Sequence, residues 1–292
     1  MIKKSLIVFV VLFALLNIAV NNSAPDTKYT QSDVQINTII ADKYIYSENA
    51  YDATILGSSL AARIVTDSLP GFYNLAFSGM SVYDGAEVLL SKDVIPKTVF
   101  IEINALQKPK NEDFTLEFES PVYSYFKSIL PALRTENQPV LFAKKGIDKL
   151  KENPKPVSPI TGKKRVLKNS YLPEKMFGSL LDVQVKSYSK LDTDLMNQGI
   201  ANLQQLVSKI QSRGNLVVFF EMPVNPVIQQ SPKATLIREA VMKNFPVTQF
   251  TYIALPTETF KTRDGLHMAQ KEAADYTSYF KQQAAAIVSR IN

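Results

Sequence analysis

The sequence contains no cysteine and only one histidine, His267, among its 292 residues. The lack of cysteine excludes disulfides, thiolate nucleophiles and metal sites built on sulfur. A single histidine without cysteine also leaves too few ligands for a transition-metal site, and no carboxylate cluster of metal type is visible. No glycine-rich phosphate loop occurs either, so we expect neither a metal nor another cofactor. Any reaction that needs an imidazole must use His267.

The positive charge of the chain is concentrated in one segment. The formal net charge is +6, and residues 141–186 contain eleven Lys or Arg but only four Asp or Glu. Three interpretations fit such a segment: a solvated insertion, a contact with an anionic envelope surface, or a nucleic-acid contact. Few aromatic residues accompany the basic ones, and no helix-turn-helix or RNA-binding signature occurs. We therefore do not expect nucleic acid as a partner.

An apolar run near the N-terminus indicates a signal or membrane-anchor segment. Lys3 and Lys4 precede an apolar run over residues 6–20, which only Asn17 interrupts. Its length of about 15 residues lies between a signal-peptide core and a full span of about 20. Small residues suited to signal cleavage are poorly placed, which favours an uncleaved signal anchor over residues 1–25; a cleaved signal and a secreted protein are the alternative. The positive-inside rule then places the following domain in the periplasm or at the cell exterior.

The rest of the chain alternates between strand and helix patterns. Short apolar runs predict strands at 53–56, 72–77, 98–103, 216–221 and 250–255. Apolar stripes at helical spacing predict helices at 84–90, at 196–210 and from 270 onward. This alternation predicts a three-layer α/β/α sandwich with a central parallel sheet.

The predicted sandwich occupies residues 52–292 and follows a polar stalk at 26–51, which leads into a short helix. Between about 105 and 190 the regular pattern stops, because eight prolines interrupt the chain there. We interpret this part as a basic, Pro-rich insertion with short helices and a loop-rich centre at 151–165.

Two candidate catalytic segments flank predicted elements. Asp264 precedes His267 by three residues, a spacing that lets the carboxylate hold the Nδ1 proton of the imidazole. Gly57, Ser58 and Ser59 follow the first strand, where a tight turn can expose a serine hydroxyl to a cleft. The serine could equally be a routine helix cap. In parallel sheets, sites form at the carboxyl ends of the strands, where both segments lie.

These segments resemble conserved blocks of the SGNH, or GDSL-like, hydrolases. The G-D-S-L block matches residues 57–60, which implies that Ser59, and not Ser58, is the nucleophile. The D-x-x-H block matches residues 264–267. The resemblance thus implies a catalytic triad of Ser59, Asp264 and His267.

The same resemblance implies an oxyanion hole. The block that ends in glycine matches residues 74–79, with Gly79 as the oxyanion-hole residue. The G-x-N-D block matches residues 102–105, with the Asn104 amide as a donor. Together with the backbone N–H of Ser59, these groups would hold the oxyanion.

Three positions depart from the family pattern: Ser58 and Ala105 each replace an aspartate, and Glu102 replaces a glycine. Such divergent blocks behind an anchor resemble the envelope branch of the family, which includes the teichoic acid D-alanylation and the alginate and cellulose acetylation proteins. That branch works with a multispanning membrane O-acyltransferase. Glu102 itself could be a second acid or simply a solvated residue at a strand edge.

The resemblance implies a membrane-anchored serine O-acyltransferase or esterase, which acts on acyl groups, in the first place acetyl, of a cell-surface polysaccharide. A membrane-bound O-acyltransferase is the implied partner. The alternatives are a secreted carbohydrate esterase or lipase-like hydrolase, and a catalytically silent polysaccharide-binding module.

Overall fold

The structure, a computed structural model, describes residues 2–21, 32–138, 171–190 and 192–289. Contacts divide the chain into two compact units. Of the described residues, the first unit holds 2–21, 32–48 and 113–138, and the second holds 49–112, 171–190 and 192–289. In chain order the helices are α1 (Ile2–Asn21), α2 (Asp33–Tyr46), α3 (Val82–Leu90), α4 (Glu112–Glu119), α5 (Pro121–Ile129), α6 (Glu174–Tyr188), α7 (Thr193–Gln211), α8 (Pro226–Gln229), α9 (Pro232–Asn244) and α10 (Gln270–Val288).

A parallel sheet forms the centre of the second unit. Its five strands are β1 (Ala53–Leu56), β2 (Phe72–Asn74), β3 (Thr98–Glu102), β4 (Leu216–Phe220) and β5 (Thr251–Ile253). They lie in the order β2-β1-β3-β4-β5, and every neighbouring pair is parallel. Strands β1 and β3 are buried along their whole length, as expected where helices cover both faces of a sheet. The predicted α/β fold with a central parallel sheet is confirmed.

The helices of this unit bury the stripes that the sequence predicts. In α7 the residues at helical spacing are all buried: Met196, Ile200, Leu203, Val207 and Ile210. The helix gives way to a turn at Gly214, which has a positive φ of 80°. In α10 the corresponding buried stripe includes Tyr276 and Phe280, and the Phe280 ring packs 5.3 Å from Phe100 of β3 and 5.2 Å from Phe220 of β4. These aromatic contacts fix α10 against the middle of the sheet.

Four of the five predicted strands are shorter in the structure: β3 and β4 each end one residue early, β5 covers only Thr251–Ile253, and β2 loses its last three residues. Strand β2 ends at Asn74, whereas the apolar pattern predicts it to continue to Phe77. The Asn74 side chain accepts the Ala76 N–H at 2.9 Å and donates to the Ala61 carbonyl at 2.9 Å. Such an asparagine turn diverts the backbone out of the sheet, and it leads the chain towards Gly79.

The first unit contains helices that the sequence analysis assigned to an anchor, a stalk and an insertion. Helix α1 is long and apolar enough to cross a membrane, with a mean hydropathy of 2.1 over Ile2–Val20. Residues 33–46, expected as the end of a stalk, form the 14-residue helix α2. The first part of the expected insertion forms α4 and α5. The beginning of the expected stalk and the loop-rich basic centre of the insertion, 151–165, lie outside the described residues.

Candidate active site

Three polar side chains form a continuous line of hydrogen bonds in the second unit. The Ser59 Oγ lies 2.9 Å from the His267 Nε2, and the His267 Nδ1 lies 2.8 Å from the Asp264 Oδ2. Ser59 belongs to the turn that follows β1, whereas the other two precede α10. With its Nδ1 proton held by the carboxylate, the imidazole presents a lone pair on Nε2 to the serine hydroxyl. The fold therefore brings together residues that are about 200 positions apart in the sequence.

The Asp264 carboxylate is held by its own turn. One oxygen accepts the N–H groups of Leu266 at 3.0 Å and His267 at 2.8 Å, while the other receives the imidazole. Burial by itself would raise the pKa of Asp264, but the hydrogen bonds from the His267 side chain, the His267 backbone and Leu266 together lower it to about 2. The carboxylate therefore stays ionised and can stabilise an imidazolium.

Gly265, in the middle of this turn, cannot be replaced without strain. Its φ is +93°, and a Cβ there would lie 2.8 Å from Leu181 and 2.9 Å from Ile228 side-chain atoms. The glycine thus permits the tight turn that orients Asp264 towards the ring of His267.

Ser58 and Ser59, adjacent in sequence, have different surroundings. Ser58 is 5% exposed, and its hydroxyl donates to both oxygens of the Glu102 carboxylate, at 3.0 and 2.9 Å. Its own N–H donates to Glu102 at 2.7 Å. Ser59, in contrast, is partly exposed and bonded to His267. This geometry agrees with the register that the family resemblance implies.

Glu102 holds the turn that carries Ser59. It is 1% exposed, so the interpretation as a solvated edge residue is wrong. Besides the Ser58 groups it accepts the Ala61 N–H at 3.3 Å. Burial raises the pKa of Glu102 to about 6, and the hydrogen bonds from Ser58 and Ala61 oppose that rise. Glu102 touches Ser58 and not Ser59, so it is a positioning residue.

Gly57 provides the space for this carboxylate. A Cβ at position 57 would lie 2.6 Å from the Glu102 Oε2 and 2.6 Å from the Ala61 Cβ. Real side chains do not approach so closely, so Gly57 and Glu102 depend on each other. The sequence contains a signal for this contact, because the aspartate of the G-D-S-L block is absent at position 58 and a glutamate occupies position 102.

The expected oxyanion-hole residues lie on the same edge of the sheet. Leu56 of β1 pairs with Ile101 of the neighbouring parallel strand β3. Ser59 follows Leu56 by three residues, and Asn104 follows Ile101 by three residues, so both lie just beyond the ends of these strands. The Asn104 side chain donates to the Met222 carbonyl at 2.9 Å and accepts the Met222 N–H at 2.7 Å. Its nitrogen carries a second N–H, which the bond to Met222 does not use.

Gly79 follows β2, the next strand along. Its φ is +74°, and nothing lies within 4 Å of the position that a Cβ would take. Its carbonyl accepts a hydrogen bond from the Lys108 ammonium. Gly79 therefore borders open space, and its carbonyl is bonded to Lys108.

A groove of about 300 Å³ begins beside Lys108 and runs between α3 and α7. Three amide side chains of α7, Gln198, Asn202 and Gln205, line it at spacings of four and three, which places them on one helix face. Gln107, from the loop after β3, lines it from another side. The sequence analysis used only the apolar stripe of α7 and missed this polar one.

Comparison with known proteins gives no family assignment. No protein-family model matches the sequence, and no curated protein matches it. Among the described residues, no group of three or more His, Asp or Glu side chains could hold a metal ion. The function must therefore be inferred from the geometry of the site.

Proposed function

We propose that this protein is a serine acyltransferase or esterase of SGNH type, anchored in a membrane by α1 with the second unit outside the cytoplasm. The observation that carries the proposal is the hydrogen-bonded line from Ser59 through His267 to Asp264 at the carboxyl edge of a parallel sheet. Lys3 and Lys4 before α1 favour the outward orientation.

In the proposed first half-reaction, Ser59 Oγ attacks the carbonyl carbon of an acyl ester while His267 Nε2 takes the hydroxyl proton. Asp264 stabilises the imidazolium that results. The backbone N–H groups of Ser59 and Gly79 and the Asn104 amide receive the oxyanion; each such donor typically lowers the barrier by about 3–4 kcal/mol. When the intermediate collapses, the bond to the leaving alcohol breaks, and the alcohol departs with the proton from His267.

In the second half-reaction an acceptor hydroxyl gives its proton to His267 and attacks the acyl-serine. Release of Ser59 with its proton restored completes the cycle. Water as the acceptor makes the protein an esterase, and a sugar hydroxyl makes it a transferase. Both share the first half-reaction, so the identity of the acceptor distinguishes them.

The surroundings of the site favour a carbohydrate acceptor. The groove beside Lys108 is lined by amide side chains together with three lysines and two glutamates, and these donors and acceptors suit the hydroxyl groups of a sugar. We propose that a segment of a cell-surface polysaccharide occupies it, with acetyl as the acyl group. A membrane-bound O-acyltransferase is the proposed partner that supplies the acyl chain.

Labelling with a fluorophosphonate tests whether Ser59 is activated. The purified full chain should be labelled at Ser59, and the Ser59→Ala and His267→Ala variants should not be. Ser212→Ala removes an exposed hydroxyl far along the sequence and is the matched control, which should label like wild type. A wild-type protein that is not labelled would contradict the proposal and favour a silent binding module. Acyl transfer measured with and without polysaccharide would then separate transferase from esterase.

A further inference from the structure

We infer that helix α5 lies in the membrane–water interface next to the outer end of α1, with one face in the lipid. That face, the α5 apolar face, consists of Val122, Tyr125, Phe126 and Ile129. The inference concerns the first unit and depends on α1 as a membrane span, but it does not depend on the proposed catalytic activity.

The α5 apolar face has the spacing of an amphipathic helix. Its residues lie at positions i, i+3, i+4 and i+7, which share one side of a helix. They are 67, 63, 45 and 53% exposed, respectively. Four adjacent large apolar side chains in water are unfavourable, and such a patch usually marks a contact with a membrane or another protein.

The opposite side of α5 fixes its orientation. Lys127 is 1% exposed, and its ammonium bonds to Asp42 of α2 at 2.9 Å and to Glu117 of α4 at 2.7 Å. Lys127 lies roughly 150° around the helix from the centre of the apolar face, at about 100° per residue. Because buried ion pairs of this kind tolerate little rearrangement, the apolar face is held outward and cannot rotate into the unit.

A direct contact places α5 at the depth of the membrane surface. Just after α5, the Ala132 N–H donates to the Asn17 Oδ1 of α1 at 3.1 Å. The apolar stretch of α1, Ile2–Val20, has 19 residues. At 1.5 Å per residue it is about 28 Å long, close to the roughly 30 Å of a bilayer's hydrocarbon core. Asn17 is three residues from its outer end, so Ala132 lies about 5 Å inside the span.

The composition of α5 fits this depth. A helix at the interface buries its apolar face about 5–10 Å into the boundary between headgroups and acyl chains. Tyr125, within the face, belongs to a residue type that concentrates at membrane interfaces, where the ring is in lipid and the hydroxyl in water. Lipid surrounds the outer turns of a membrane-spanning α1. Because α5 lies beside these turns, lipid is also what covers the α5 apolar face. A second copy or a transmembrane partner is the competing occupant.

Tryptophan quenching can test this arrangement in the full chain, because the chain contains no tryptophan. The Phe126→Trp and Ile129→Trp variants would each be reconstituted into lipid nanodiscs. Lipids brominated near the headgroup end of the acyl chain should reduce the emission of both variants by about half or more, since bromine quenches only at contact. Two positions are used because one variant could fail to fold.

Two controls make the result decisive. Nanodiscs of the same lipids without bromine give the unquenched reference emission of each variant. Leu12→Trp, inside α1, should be quenched. Quenching at position 12 without quenching at 126 and 129 would overturn the inference. Absence of quenching at all three positions would also overturn it, because α1 would then not span the bilayer. If the tryptophans at 126 and 129 are protected from quenching only when a second copy or a co-purified membrane protein is present, the inference is also overturned, in favour of a protein partner.

Discussion

Glu102→Gln is the substitution whose effect on stability follows most directly from the structure. The glutamate is 1% exposed, and burial raises its pKa from the ordinary value of 4.5 to about 6. The folded state therefore holds the proton more tightly than the unfolded state does. The contribution of Glu102 to stability is therefore fully present below pH 4.5 and is lost as the pH rises from 4.5 through about 6. A pKa difference of this size corresponds to about 2 kcal/mol of the free energy of unfolding.

Glutamine reproduces the protonated form of this side chain. It keeps one oxygen for the N–H groups of Ser58 and Ala61 and presents a donor to the Ser58 hydroxyl, as a protonated carboxyl does. We therefore expect wild type and Glu102→Gln to be about equally stable near pH 4.5. Near pH 7 the variant should be more stable by about 2 kcal/mol.

Urea unfolding in detergent at a series of pH values measures this difference. Groups that do not interact with Glu102 contribute equally to both proteins, so the difference between the two curves reports Glu102 together with its coupling to His267. Glu239→Gln, at an exposed position, is the control and should follow wild type at every pH. A variant that is less stable than wild type at pH 7, or a difference that does not change with pH, would refute the reasoning, because the donors around Glu102 would then compensate fully for its burial.

Three further predictions concern the site. Ester turnover should fall below about a thousandth of wild type in Ser59→Ala, in His267→Ala and in the double variant. The two losses should not add, because nucleophile and base act as one unit, and clearly different losses in steady-state kinetics would contradict this. Gly57→Ala should abolish fluorophosphonate labelling, because its Cβ would lie 2.6 Å from the Glu102 Oε2; labelling at the wild-type rate would show that the carboxylate can move. Asn202→Ala, in the groove, should raise the KM for a polysaccharide acceptor several-fold while labelling stays unchanged; an unchanged KM would exclude the groove as the acceptor site.

The strands could be predicted because each is a short apolar run with a clear stop. Residues 216–220 illustrate this: a buried parallel strand needs apolar side chains on both faces, so its sequence is continuously apolar. The pairing of His267 with Asp264 was equally accessible, because a single histidine leaves no choice of base and an i, i+3 spacing is local. Local patterns and scarce residue types therefore carried most of the correct predictions.

Features that depend on distant contacts could not be predicted. Glutamate is usually exposed, and only the fold shows that the Ser58 N–H and hydroxyl both point at Glu102. The apolar face of α5 escaped notice for a similar reason. Five apolar or aromatic residues in nine do not distinguish a buried helix from an exposed one, and the position of Lys127 inside the unit decides which face is covered.

The structure also changes the meaning of the departures from the SGNH pattern. Taken separately, the serine at position 58 and the glutamate at position 102 each weaken the resemblance. In the fold they contact one another, because the carboxylate that is absent from the turn after β1 is supplied by the end of the neighbouring strand β3. A carboxyl group thus packs against the turn that carries Ser59, and Gly57 leaves room for it. The two departures therefore form one buried contact, which lies beside Ser59 and leaves the Ser59 hydroxyl bonded to His267.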